Sequence, residues 1–254
     1  MAMIEEMERS GNWLFRWRSF LPLVLYVLAV IVMVGGWDRQ LDHRDLTWIV
    51  ICLVVSFFGL LIRALTIGFT PAGTSGRNTK EGQVAEVLNT KGIYSVVRHP
   101  LYFGNYFMWL GIIMYVGSWW FTIVCSLLFW VYYERIMFAE EAFLRKKFGG
   151  SYLKWSETAP PFFPRWTNFK PSGVPFSFKN VLKREYNGFF ATFISFGMID
   201  VVKNYMDYRV FELDFLVSPF WLYAIPAAFV VFIVLRTLKK KTTVLNVKGR
   251  EFNA

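Results

Sequence analysis

Arg98, His99 and Pro100 stand directly before a run of apolar residues, and further along the chain Glu140 and Glu141 form an adjacent carboxylate pair. Guanidinium, imidazole and carboxylate are the groups that bind anions, move protons and hold polar or cationic ligands. Only two histidines are present, His43 and His99. A polar residue at the threshold of an apolar segment is costly there, so such residues concentrate at functional sites. Pro100 suits the first turn of a helix, where its missing N–H would have no partner anyway. A helix starting there leaves the N–H groups of Leu101, Tyr102 and Phe103 as an expected anion site. The stretch Tyr132–Trp155 reads as helical as far as the stop at Gly149–Gly150, with Lys146 and Lys147 in its last turn, where the helix dipole favours cations. On that helix Glu134, Phe138 and Glu141 share a face, whereas Glu140 is turned by about 100° from Glu141. The two carboxylates are therefore expected to serve different partners. Glu141 is also four residues before Arg145, a spacing at which an ordinary surface ion pair forms.

The elements that must position these groups are apolar. Of 254 residues 55% are hydrophobic and 20% aromatic. Apolar runs at Phe20–Trp37, Leu46–Ile62, Leu101–Tyr133, Tyr186–Val202 (interrupted by Asp200) and Phe215–Leu235 approach or exceed the roughly 20 residues that cross a bilayer. Leu101–Tyr133 would be about 50 Å long as one helix, too long for a single crossing. A turn at Gly117–Ser118, followed by Trp119 and Trp120, makes it a helical hairpin. The fold class is thus all-α, a polytopic membrane protein with about six transmembrane helices. The fold-back brings Arg98 and His99 to the same face as Glu134, Glu140 and Glu141.

Six spans with both termini cytoplasmic put all but four of the 28 basic residues inside, the exceptions being Arg39, Arg44, Lys203 and Arg209. The net charge of +10 is then explained by topology and attraction to anionic lipid, not by nucleic acid. The first run lacks a small-residue cleavage pattern and is read as a retained span. Cys52 and Cys125 fall in spans without metal-ligand spacing. The expected organisation is a cytoplasmic segment 1–19, a core 20–185 of four spans with a cytoplasmic site, two further spans in 186–236 and a basic tail 237–254.

"GIYSVVRHPLYFGN" (Gly92–Asn105), "EEAFLRKKFGGSYLKW" (Glu140–Trp155) and "PPFFP" (Pro160–Pro164) together resemble the paired signature of the integral-membrane methyltransferases that include isoprenylcysteine carboxyl methyltransferase and the phospholipid methyltransferases. The resemblance implies S-adenosylmethionine at the cytoplasmic end of the hairpin and a membrane lipid or lipid-linked methyl acceptor. It assigns cofactor contacts to Tyr94, His99, Pro100, Tyr102, Gly104, Asn105, Glu140 and Glu141. Gly104 would permit close approach of the cofactor to the backbone. Arg98 would orient an anionic acceptor, with Arg98 and Glu141 as the catalytic pair. Arg77 and Lys80, in the long loop Thr66–Gly92, are expected as further anion contacts at the acceptor side. Among acceptors a lipid phosphate, as in lipid A O-methylation, is preferred to a prenylcysteine carboxylate or a phospholipid amine.

Two other functions fit parts of this pattern. Sterol-type reductases using NADPH resemble the same R-H-x-x-Y-x-G stretch, but Leu101 and Asn105 stand where they carry Asn and Glu. A transport or scaffold protein would need only a charged face. The membrane concerned is expected to be a bacterial inner membrane in preference to the endoplasmic reticulum. The segment 165–184 and the last two spans have no assigned role.

Overall fold

The computed structural model describes residues 2–18, 20, 23–35, 45–71, 77–79, 82–211 and 217–247. Among these, eight helices make up most of the molecule: α1 (Met3–Trp17), α2 (Leu23–Val34), α3 (Leu46–Gly68), α4 (Pro100–Tyr115), α5 (Trp119–Phe148), α6 (Gly150–Ser156), α7 (Phe178–Phe211) and α8 (Pro219–Lys241). A two-stranded antiparallel hairpin, β1 (Arg77–Thr79) and β2 (Gly82–Val84), pairs Asn78 with Gln83 in the long loop Thr66–Gly92. It is too small to form a layer, and the architecture is helical.

Six of the helices coincide in order with the six expected spans. By length and composition α3, α5 and α8 are long and apolar enough to cross a membrane. Helices α2 and α4, with 12 and 16 residues, are shorter than a full crossing. Helix α7 has 34 residues but carries Glu185, Asp200 and Lys203. The remaining long element, α1, was not anticipated as a packed helix. It lies on α5 with Gly11 against the Arg135 carbonyl, where a side chain would overlap, and Arg135 Nη1 donates to Ser10 Oγ at 3.1 Å.

The long apolar run does fold back. Helix α4 ends at Tyr115, α5 starts at Trp119, and Gly117 turns the chain with φ of +88°, a conformation that favours glycine. At the other end of α5, Gly149 (φ +53°) stops the helix where expected.

Small residues bring α3 and α4 together. Side chains added at Gly59, Gly104 or Gly111 would collide with the facing helix: Gly59 meets the Gly104 carbonyl, Gly104 meets Arg63 Cγ at 2.6 Å, and Gly111 meets the Cys52 carbonyl and Ser56 Oγ. Between helices whose surroundings are as apolar as their side chains, such close backbone approach supplies the packing energy. Ser56 completes the seam by donating to the Met108 carbonyl at 2.7 Å.

The last two helices are fastened to the hairpin turn by polar groups. Asp200 on α7 accepts from the Tyr115 hydroxyl (3.0 Å), the Ser218 N–H (2.9 Å) and the Ser218 hydroxyl (2.8 Å), so it caps the start of α8 from a neighbouring helix. Lys203, counted as an external loop charge on the sequence, is buried within α7. It donates to the Tyr115 carbonyl, and its ammonium lies 4.1 Å over the Tyr115 ring.

Gly111→Val forces a branched side chain into the α3 backbone. It is expected to destabilise the protein by about 1–3 kcal/mol, read as a lowered thermal midpoint in detergent, whereas Gly150→Ala, with open space around it, leaves the midpoint in place.

Candidate active site

The segment before α4 has little regular structure of its own and is held from outside. Arg98 and His99 donate their backbone N–H groups to the carbonyls of Pro160 and Pro161 at 2.8 and 3.2 Å. Arg165 N–H donates to the Val96 carbonyl at 2.9 Å, Gly92 pairs with Lys170, and the Trp155 indole donates to the Tyr94 carbonyl at 2.9 Å. The "PPFFP" stretch is therefore a strap lying alongside residues 92–99. Its prolines offer carbonyls without competing N–H groups.

Held in this way, His99 enters between the two carboxylates of α5. Its Nε2 is 3.0 Å from Glu141 Oε1, and its Nδ1 is 3.5 Å from Glu140 Oε2, an ion-pair contact. Both carboxylates meet His99, yet they otherwise differ as expected, since only Glu141 also pairs with Arg98. They diverge around the helix, but the imidazole carries nitrogens on opposite edges and spans the gap. Glu134, on the Glu141 face, is exposed instead. Glu141 does not join Arg145 as a surface pair; its Oε2 accepts from Arg98 Nη1 at 2.9 Å, and that nitrogen also reaches the Tyr152 hydroxyl at 3.2 Å.

All three titrating groups lie outside the apolar span 119–133. Burial opposes charge on His99, but the two facing carboxylates outweigh it and raise its pKa above the ordinary 6.5. Burial likewise opposes charge on Glu140 and Glu141, and the imidazole outweighs it, holding both below the ordinary 4.5. The favoured state is an imidazolium between two carboxylates. Burial pushes the nearby Tyr94 hydroxyl up to about 12, so it stays protonated.

A cavity of about 320 Å³ opens beside this triad, within the size range of small-molecule sites. Tyr94, Arg98, His99, Pro100, Tyr102, Asn105 and Glu140 line it, as the sequence motifs predict. Two assigned residues do not. Gly104 faces α3 and serves helix packing, not a ligand. Glu141 stands behind His99 and Arg98 and holds them. The anion site expected at the start of α4 is largely used up, because the Tyr102 and Phe103 N–H groups both donate to the His99 carbonyl at 3.1 Å, leaving only the Leu101 N–H of the three. Arg77 lies in β1 and its side chain is outside the described residues; Lys80 and His43 are outside them altogether.

Other lining residues carry no motif and were missed. Arg63 of α3 makes a two-pronged pair with Glu185 of α7, both contacts 2.7 Å, and donates from Nη1 to Asn105 Oδ1 at 2.6 Å, while Asn105 Nδ2 donates to the Tyr133 hydroxyl at 3.0 Å. Arg18, at the end of α1, and Arg184 also reach the cavity. On the sequence these arginines are merely topology charges. Glu185 itself follows Lys183 and Arg184 directly, so along the chain it reads as one of a charged cluster before the apolar run at Tyr186.

Residues 48–151, which include α4, all of α5 and therefore the whole triad, match the model of the phospholipid methyltransferase family. The chain is similar to a protein-S-isoprenylcysteine O-methyltransferase of Schizosaccharomyces pombe, 39% identical over 31% of this chain and 33% of the relative. A second protein of that name, from Xenopus laevis, is 26% identical over 48% of this chain and 43% of its own. A nickel-cobalt-cadmium resistance protein of Alcaligenes xylosoxydans xylosoxydans is 28% identical over 61% of this chain and 65% of its own. The chain thus spans from a third to about two thirds of these relatives' lengths. No solved structure matches it. Among the described residues no group of His, Cys, Asp and Glu has the arrangement of a metal site.

The triad's charge state gives a pH signature. His99, with its raised folded pKa, contributes stability that is complete below pH 6.5 and is lost as pH rises through the folded value above it. The two glutamates, with lowered folded values, contribute stability that is complete above pH 4.5 and is lost as pH falls through those values. Thermal midpoints are therefore expected to be highest between pH 4.5 and 6.5. His99→Gln should be less stable there and lack the decline above pH 6.5, a difference read from unfolding curves across pH.

Proposed function

We propose that the protein transfers a methyl group from S-adenosylmethionine to an anionic group on a lipid or lipid-attached acceptor, with the site and both termini at the cytoplasmic side of a membrane. The observation that carries this reading is the clamped triad beside a tyrosine-lined polar cavity, built by the two motifs of the family core. The positive-inside count supports the orientation, and a bacterial inner membrane is the preferred location.

The residues present fit the cofactor. Arg98 Nε is buried without a hydrogen-bond partner among the described residues, and Glu140 Oε2 has an ion-pair contact of 3.5 Å with His99 Nδ1. A buried donor left unpaired costs about 1–3 kcal/mol, which a ligand oxygen at Arg98 would recover, and a ligand amino or hydroxyl group would add a hydrogen bond at Glu140. Tyr94 and Tyr102 present aromatic faces to the cavity, suited to a sulfonium cation. S-adenosylmethionine supplies, when bound, an electrophilic methyl group.

The chain's own part is positioning. No covalent intermediate with a protein nucleophile is required, and catalysis of such a displacement comes from holding the two reactants at near-attack distance. His99 has both ring nitrogens engaged, so it serves as a fixed cation that aims Glu140, not as a proton shuttle. Glu141 is a positioning residue for Arg98 and His99. Arg98 reaches the cavity with its remaining nitrogens and orients an oxyanion, a carboxylate or a phosphate. An O-methyl acceptor accords with the names of the yeast and frog relatives. Nothing in the cavity prefers a lipid A phosphate over a carboxylate.

Isothermal titration of the protein in lipid is expected to detect S-adenosylmethionine. His99→Ala and Glu141→Gln should weaken binding about tenfold or more, the roughly 1.5–3 kcal/mol of hydrogen bonds to charged groups, whereas Glu157→Gln, on the exposed end of α6, leaves it unchanged. Incubation with methyl-labelled S-adenosylmethionine and total lipid extract should label a lipid or a prenylated peptide. Absence of both binding and label, or equal effects of the Glu141 and Glu157 changes, refutes the reading.

A further inference from the structure

A second cavity, of about 400 Å³, lies on the other side of Tyr133 and is almost wholly apolar. Leu14 of α1, Leu25 and Leu28 of α2, and Phe129, Tyr132 and Tyr133 of α5 line it. Tyr133 also lines the polar cavity, so one ring forms the wall between the two.

Helix α1 contributes to both sides of that wall. Leu14 and Arg18 are four residues apart and share one face of the helix; Leu14 borders the apolar cavity and Arg18 the polar one. Among the described residues Arg18 has no hydrogen-bonding or carboxylate partner. Its guanidinium lies 3.8 Å over the Phe15 ring, whose stacking steers it without neutralising it. Arg63 is bound to Glu185 and Asn105, and Arg98 through Nη1 to Glu141 and Tyr152. Arg135, which also borders the apolar cavity, donates to Ser10 Oγ. A charge-bearing ligand arriving from the apolar side meets Arg18 at the polar cavity. Helix α1 is itself fixed to α5 through Gly11, Ser10 and the Leu14 carbonyl, which faces the Tyr132 hydroxyl at 3.5 Å. It is held in register with the site.

We propose that α1 is a wall of the acceptor site, in which the cavity behind Leu14 takes the hydrocarbon chain of a single-chain membrane lipid and Arg18 receives that lipid's anionic group beside Tyr133. Charge complementarity at Arg18, with Tyr133 bordering both cavities, selects this occupant over an uncharged lipid. Leu14, Arg18, Leu25 and Leu28 then bring to the acceptor site a wall from outside the family-matched residues 48–151, facing Trp109 and the α5 lining within them. The proposal rests on the methyltransferase reading.

The test uses the full protein in phosphatidylcholine vesicles with a photoactivatable fatty acid bearing a diazirine on its chain, and its uncharged alcohol analogue. The acid is expected to label peptides containing Leu14, Leu25 or Phe129 more strongly than the alcohol does. Arg18→Ala should cut labelling by the acid about tenfold and leave labelling by the alcohol as it was; Arg18→Lys should restore part of the loss. A Leu14→Trp variant, which fills the cavity without touching the charge, should reduce labelling by both probes. Equal labelling by acid and alcohol in the unaltered protein, or labelling by the acid unchanged in Arg18→Ala, overturns the proposal. Failure of the unaltered protein to bind S-adenosylmethionine, with labelling as expected, refutes the methyltransferase reading and not the lipid site.

Discussion

The ion-pair cluster of His99 with Glu140 and Glu141 joins the two arms of the hairpin at the end away from their turn. The turn at Gly117 sets which arms are neighbours, but a turn of three residues does not fix the separation of ends that lie one membrane thickness away. The imidazole does so, because each of its nitrogens faces a carboxylate from the opposite arm. Such a cluster is sensitive to the loss of any member, since removing one partner leaves buried charge uncompensated. It is also sensitive to orientation, and the strap at Pro160–Pro164 supplies that by taking the backbone N–H groups of Arg98 and His99.

Around this clamp the helices divide the work. Helices α3 and α4 approach through Gly59, Gly104 and Gly111, which puts Arg63 close enough to Asn105 to enter the site. Helix α7 returns to the same place with Glu185, so the Arg63 guanidinium at the site's floor is neutralised by an element distant in sequence. At the opposite end Asp200 and Lys203 tie α7 and α8 to the hairpin turn. The last two helices, which carry no family motif, thus complete the site floor and brace the hairpin.

The polar and apolar cavities meet at Tyr133, and that arrangement suits a reaction between a water-soluble reactant and a membrane-dissolved one. Leu14, Leu25 and Leu28 of α1 and α2 form one wall of the apolar side, and Trp109, Phe129 and Tyr132 of α4 and α5 the other.

Sequence by itself determined the helical class, the hairpin and the meeting of Arg98 and His99 with Glu140 and Glu141. Those follow from one-dimensional quantities: the length of an apolar run against the thickness of a bilayer, a glycine at its midpoint, and motif order. Tertiary structure alone decided how the groups are used. Whether adjacent glutamates part company or converge depends on what is inserted between them, and His99 is placed there by carbonyls from the strap. Gly104 belongs to the seam with α3 and not to a ligand, because the approach of a second helix has no signature at a single glycine. Arg18 and Arg63 read as topology charges along the chain. Only packing shows that one is neutralised by Glu185 and the other faces the cavity, since the partners of a charge are set by distance in space and not by distance in sequence.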